Sequence, residues 1–194
     1  METSTKRTLR AELRTIRRAM PVQSRVDASA AIATAVLSLP EVMNAATLHV
    51  YLSLPDEVDT THIISTLMEL EKSVVVPFME PDGSMTSVQL LPHEVADIVI
   101  GVRGVPAAPM RRLVPHGTWD VVLVPVVGAD RHGNRLGNGA GHYDRLLSGG
   151  AMPAVALAFD CQLVEDLPVE PHDVALDVIV TESSVHRLPT GAAG

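Results

Sequence analysis

Apolar residues recur in 6–20 at Leu9, Leu13, Ile16 and Met20, a spacing that predicts a helix with one buried stripe, closed by Pro21. Residues 22–39 are rich in alanine and predict a second helix that stops near Pro40. The period then changes. Short β-branched runs at 47–54, 73–78, 120–127, 154–159 and 178–181 predict strands, and a polar-apolar alternation at 85–91 follows the turn Pro81-Asp82-Gly83. A helix is expected over about 60–72, and 144–147 reads as the start of another. Residues 95–109 read as irregular, 167–177 as a polar crossing, and His186 onward as a loose tail. Strands that alternate with helices predict an α/β chain with a mostly parallel sheet covered on both faces. The whole of 1–194 is expected to form one domain.

The stretch 128–145, GADRHGNRLGNGAGHYDR, breaks the apolar pattern most sharply. A buried strand precedes it and a helix start follows, so its glycines can bring backbone N–H groups close to an oxyanion. Asp144 beside such a site suits a divalent cation, while Arg135 and Arg145 can neutralise phosphate charge. Two familiar phosphate loops are excluded. Asn134-Arg135 stands where a Walker loop needs Lys-Ser/Thr, and His142 breaks the dinucleotide pattern after Gly137, Gly139 and Gly141.

Composition narrows the picture. With 46% hydrophobic but only 3% aromatic residues in 194, the core must be aliphatic. The single cysteine, Cys161, reads as a core thiol and agrees with a reducing cytoplasm. No apolar run reaches the roughly 18 residues a membrane span needs. A net charge of −8 argues against general nucleic-acid binding. Neither nucleic acid nor a membrane is therefore an expected partner, and with no long exposed apolar helix face evident a cytoplasmic monomer is the expected state.

Positive charge is concentrated on the first helix, where Lys6, Arg10, Arg14 and Arg17 form a second stripe. A solvated basic face is the expected reading of that stripe, with Lys6 and Arg10 spaced to share one anion. Glu2 and Glu12 count against a mitochondrial targeting helix. Asp56 and Glu57 fall just beyond a strand end, where α/β sheets place ligands, and Asp59 or Thr60 suits a helix cap. The histidines form no HxxxH or HExxH cluster; His132, His142 and His172 read as loop residues near the proposed site rather than metal ligands.

Three separated segments, KRTLR at 6–10, YLSLPDEVDT at 51–60 and GNRLGNGAGHYDR at 133–145, together resemble the 5-formyltetrahydrofolate cyclo-ligase family. The resemblance runs from about Lys6 to Thr181, and its most specific part is the Arg-Leu-Gly-x-Gly-x-Gly-x-Tyr-Asp-Arg segment. It implies a three-layer α/β/α sandwich of the NagB/RpiA/CoA-transferase-like type. It also implies an ATP- and Mg²⁺-dependent ligase that converts a reduced folate, 5-formyltetrahydrofolate, to the 5,10-methenyl form. By matching positions, Lys6 and Arg10 would hold ATP phosphates, and Arg135, Leu136, Gly137, Asn138, Gly139, Ala140, Gly141, His142 and Tyr143 would wrap the nucleotide. Leu52, Glu57 and His142 would line the pterin site, Asp144 and Asp173 would carry magnesium, and Arg135, Tyr143 and Asp144 would serve catalysis. The chain departs from the family at Asn138, often Arg, at Ala140, often Lys or Gly, and at His142, often Tyr. Ala129 replaces the usual Phe, and RGVPAAP at 103–109 stands where the family typically has an aromatic followed by Gly-Ile-x-Glu-Pro. Those departures leave two other readings open at this stage, a paralogue acting on another amide or carboxylate and a non-catalytic nucleotide- or folate-binding protein.

Overall fold

A computed structural model of the chain describes residues 4–148 and 152–188. Helices α1 (Ser4–Ala19), α2 (Val22–Leu37) and α3 (Pro40–Asn44) lead into strand β1 (Thr47–Val50), then α4 (Thr61–Glu69) and the strands β2 (Ser73–Met79) and β3 (Met85–Leu90). The short strands β4 (Val99–Ile100) and β5 (Pro106–Ala107) form a hairpin ahead of β6 (Val121–Pro125). Strands β7 (Gly128–Asp130) and β8 (Arg135–Leu136), helix α5 (His142–Leu147), and strands β9 (Ala154–Leu157), β10 (Leu163–Val164), β11 (Val178–Val180) and β12 (Val185–Arg187) complete the described chain.

The main sheet has the order β12-β11-β9-β6-β1-β2-β3. Its five inner strands run parallel, and the two edge strands, β12 and β3, pair antiparallel to their neighbours. Alternation along each strand builds one core on each face. In β6, Val121 and Leu123 pack with Ile32, Val36, Ile63 and Leu67 of α2 and α4, whereas Val122 and Val124 pack with Trp119, Leu146 and Leu147 on the other side. Near-continuous apolar strands are what a parallel sheet buried on both faces requires.

Several expectations change at this level. The expected tail from His186 instead begins inside β12, whose Val185 faces Val180 and whose Arg187 pairs with Glu41. Only 189–194 of that expected tail fall outside the described residues. Three residues are too short to carry a readable period, so the pairing with β11 decides their state. The stretch read as an uninterrupted glycine loop contains β7 and β8, which pair antiparallel, with β10 alongside in a second sheet. Helix α5 begins two residues before the expected start, at His142. Cys161 is half-buried rather than fully buried, with its sulfur 3.5 Å from that of Met20.

The largest correction concerns α1. Its basic stripe is not solvated: Lys6, Arg10 and Arg17 are buried together with Leu13, while Ile16, expected inside, is 48% exposed. The reason is what α1 packs on. Leu13 inserts among Val127, Leu136 and Leu167, and the cations on either side of it find carboxylates and carbonyls rather than water. Long basic side chains bury readily when their heads are paired.

Candidate functional site

The parallel strands β1, β2 and β6 end on one side of the sheet, and a cleft of about 580 Å³ opens there. Ligands bind at the carboxyl ends of strands in such sheets because the loops there are free to diverge. The chain leaving β1 supplies Tyr51, Leu52, Leu54 and Glu57; β2 and β6 contribute Pro77, Met79 and Pro125. The opposite side is formed by Arg135 to Asp144, and α1 brings Lys6 and Arg10. Lys6, Arg10, Leu52, Glu57, Arg135 to Asp144 and Asp173 all line this one cleft, whereas Arg145 does not.

Local folding explains how. The fully buried carboxylate of Asp130 accepts bonds from the N–H groups of His132 and Asn134 at 2.9 Å, from Asn134 Nδ2 at 2.8 Å and from the Leu167 N–H at 2.9 Å. One side chain thus fixes the turn before β8 and ties it to the segment that carries Glu170 and Asp173. Asp130 was not singled out from sequence; its signal is an acid two residues before one loop N–H and four before another. At the far end of the loop, Gly141 caps α5 with φ of 66°, a left-handed conformation open to glycine and costly for a side chain.

Charge is distributed in opposed pairs. Lys6 Nζ donates to Glu170 Oε2 at 2.9 Å and to Asp173 Oδ2 at 2.7 Å. Burial works to lower the Lys6 pKa, but the bonds to Asp173 and Glu170 outweigh it and hold the ammonium above its ordinary value. Arg10 Nε donates to the Gly137 carbonyl at 2.6 Å, and its guanidinium packs against Gly139. Arg14 Nη2 donates to Asn138 Oδ1 at 2.7 Å. Arg135 is held by the Val174 carbonyl and by Asp144 Oδ1, the latter at 2.5 Å; burial depresses its pKa. Arg145 Nη2 donates to the Ala140 carbonyl at 3.0 Å and lies 2.9 Å from His142 Nδ1.

Glu57 is 9% exposed, and burial raises its pKa even though its Oε2 accepts the Leu54 N–H at 3.1 Å. Tyr143 lies nearby with its hydroxyl buried and unpartnered among the described residues. Burial and the charge of Glu57 both raise that phenol. Asp56 pairs with Arg17 and Arg18 at 2.9 and 3.1 Å, and Arg17 also lies 3.9 Å from Glu57 Oε1. Asp59 accepts the Thr61 N–H at 2.9 Å, and Thr60 caps α4 through its backbone while its hydroxyl donates to the Tyr51 carbonyl at 2.7 Å.

For a cation, Glu170, His172 and Asp173 present ligand atoms within 4.8 Å of one another. Their carboxylates fit a hard divalent ion, and Lys6 holds those oxygens in place. Glu170 was missed from sequence, although an acid three residues before Asp173 was the available signal. Asp144 stands outside that group and bonds Arg135 instead. His132 pairs with Asp166 at 3.2 Å and does not line the cleft, whereas His142 and His172 do.

The 5-formyltetrahydrofolate cyclo-ligase family model matches residues 2–182. The chain is 34% identical over 178 residues to the 5-formyltetrahydrofolate cyclo-ligase of Escherichia coli K12, covering 89% of this chain and 98% of that protein. It is 29% identical over 193 residues to the enzyme of that name from Mus musculus, covering 93% and 95% respectively. In structure it is similar to 5,10-methenyltetrahydrofolate synthetase of Aquifex aeolicus, with a TM-score of 0.83 and 30% identity over 97% of this chain and 95% of that one. The synthetase of Mycoplasma pneumoniae has the same fold, with a TM-score of 0.73 and 22% identity over 91% of this chain and 98% of that one.

Proposed function

We infer that this chain, which belongs to the 5-formyltetrahydrofolate cyclo-ligase family, converts 5-formyltetrahydrofolate and ATP to 5,10-methenyltetrahydrofolate, ADP and phosphate. The observation that carries the reading is convergence: segments around Lys6, Glu57, Tyr143 and Asp173 meet in one cleft that holds Lys6, Arg10 and Arg135 together with the buried carboxylate of Glu57. Cations suit a polyphosphate, and a buried carboxylate suits a heterocycle's N–H groups.

A formamide carbon is a poor electrophile because nitrogen donates into the carbonyl. In the proposed reaction the formyl oxygen attacks the γ-phosphorus and the bond to ADP breaks. N10 then attacks the activated carbon, phosphate leaves with the former formyl oxygen, and the N10 proton is released. Catalysis of this kind is positioning plus charge stabilisation. Lys6, Arg10 and Arg135 present cations to the phosphates, and the backbone from Leu136 to His142 wraps the nucleotide. Glu57 accepts hydrogen bonds from the pterin's amino and N–H groups, with Leu52 against the ring. The Tyr143 hydroxyl, buried and without a partner among the described residues, is a donor that would serve the reacting oxygens once substrate reaches it. Asp173, with Glu170 beside it, would hold magnesium, which when bound would neutralise phosphate charge; Asp144 would join them only by giving up its bond to Arg135.

The reading takes the chain as a monomer of one domain, and the single cysteine suits a reducing cytoplasm. An absorbance assay with purified protein, ATP, Mg²⁺ and 5-formyltetrahydrofolate tests the reading through the conjugated product. Product that requires both ATP and Mg²⁺ is expected; none from folded protein at high substrate would overturn it.

A further inference from the structure

Arg103 stands on the wall of the cleft opposite the glycine loop, and the roles above leave it unused. It occupies the first central position of the tight turn between β4 and β5. There φ is 58° at Arg103 and 75° at Gly104, and the Val105 N–H donates to the Val102 carbonyl at 3.2 Å, the pattern of a type I′ turn. Asparagine, aspartate or glycine suits that position, and arginine there is strained. Strain of this kind persists at binding sites, where the side chain rather than the turn is what matters.

The side chain is placed but not neutralised. Its Nη2 would lie 2.8 Å from a Cβ on Gly83, so the missing side chain of the neighbouring turn gives it room. Arg103 is exposed, and no hydrogen bond or ion pair satisfies its guanidinium among the described residues. Around it the wall is apolar, formed by Pro77, Met79, Met85 and Val105.

An apolar wall that ends in one unpaired cation fits an elongated ligand with an aromatic body and an anionic end. The phosphates already have Lys6, Arg10 and Arg135 across the cleft, so a second polyanion is not what this wall addresses. We propose that Arg103 is a specificity-determining residue that binds a carboxylate of the glutamate portion of the folate substrate. This rests on the cyclo-ligase reading above. Arginine suits the task because its planar fork meets a carboxylate with two parallel donors.

The test compares 5-formyltetrahydrofolate with the same compound lacking its glutamate, in the parent and in Arg103→Asn and Arg103→Lys. Asparagine relieves the turn while removing the charge, so misfolding does not confound the result. The parent's kcat/KM preference for the glutamate-bearing substrate is expected to fall about tenfold in Arg103→Asn and to be partly kept in Arg103→Lys. An unchanged preference would overturn the proposal, and so would a rise confined to the KM for ATP, which would assign Arg103 to phosphate. A parent that turns over neither substrate would instead sink the cyclo-ligase reading itself, an outcome distinct from both.

Discussion

Lys6 and Asp173 lie 167 positions apart in the chain and 2.7 Å apart in the fold, and that bond closes the cleft between its first helix and its acidic segment. Burial works to raise the Asp173 pKa, but the bonds from Lys6 and the Glu170 N–H outweigh it and hold the carboxyl below its ordinary 3.8. Its stabilising contribution is therefore present above that value and lost as pH falls through the lowered one. Lys6, raised above 10.5, contributes below that pH and loses its contribution as pH climbs through the raised value. Asp173→Asn is expected to cost about 1.5 kcal/mol near neutrality. Denaturant titrations should show the gap from the parent closing in strong acid; a gap independent of pH would remove the carboxylate as its cause.

Glu57 has the opposite sign. Its pKa is raised above 4.5 by burial, so the folded state holds a proton more tightly than the unfolded one. Stability falls as pH rises from the ordinary glutamate range through the raised value. Glu57→Gln should flatten that part of the melting-temperature profile while raising the KM for the folate. A profile that keeps the parent's slope would assign it to another group.

Asp144→Asn leaves the buried Arg135 guanidinium facing a neutral oxygen in place of its carboxylate. Turnover should fall by at least a hundredfold, with circular dichroism unchanged. Activity close to the parent's would dismiss Asp144 from both charge positioning and metal holding.

Asn138 accepts a bond from Arg14 at the cleft rim. Asn138→Arg breaks that bond and adds a cation where the loop is proposed to meet phosphate. ATP should bind several-fold tighter by calorimetry. Unaltered affinity would count against a phosphate role for this part of the loop.

The reversed face of α1 makes a paired prediction. Ile16→Lys should change stability by no more than about 0.5 kcal/mol, and Leu13→Ala, which empties the contact with Val127, Leu136 and Leu167, should cost about 2 to 4 kcal/mol by urea unfolding. Equal costs would mean that α1 packs through the stripe its apolar spacing suggests.

The sequence by itself determined the α/β order, because uninterrupted β-branched runs such as 121–125 and 178–180 have only one stable environment, a sheet buried on both faces. It also marked most of the cleft, since glycines, acids and arginines in one loop have few other uses. What it could not supply was partnership. Whether Lys6 and Arg10 faced water or carboxylates, whether Asp144 bonded an arginine or joined Glu170 and Asp173, and that Arg103 stood across from the glycine loop all depended on residues far along the chain. Hydrophobic period reports only the average preference of a side chain for water. The burial of a cation is decided by the charges that the tertiary structure brings within bonding distance, and only packing put Glu170 and Asp173 beside α1.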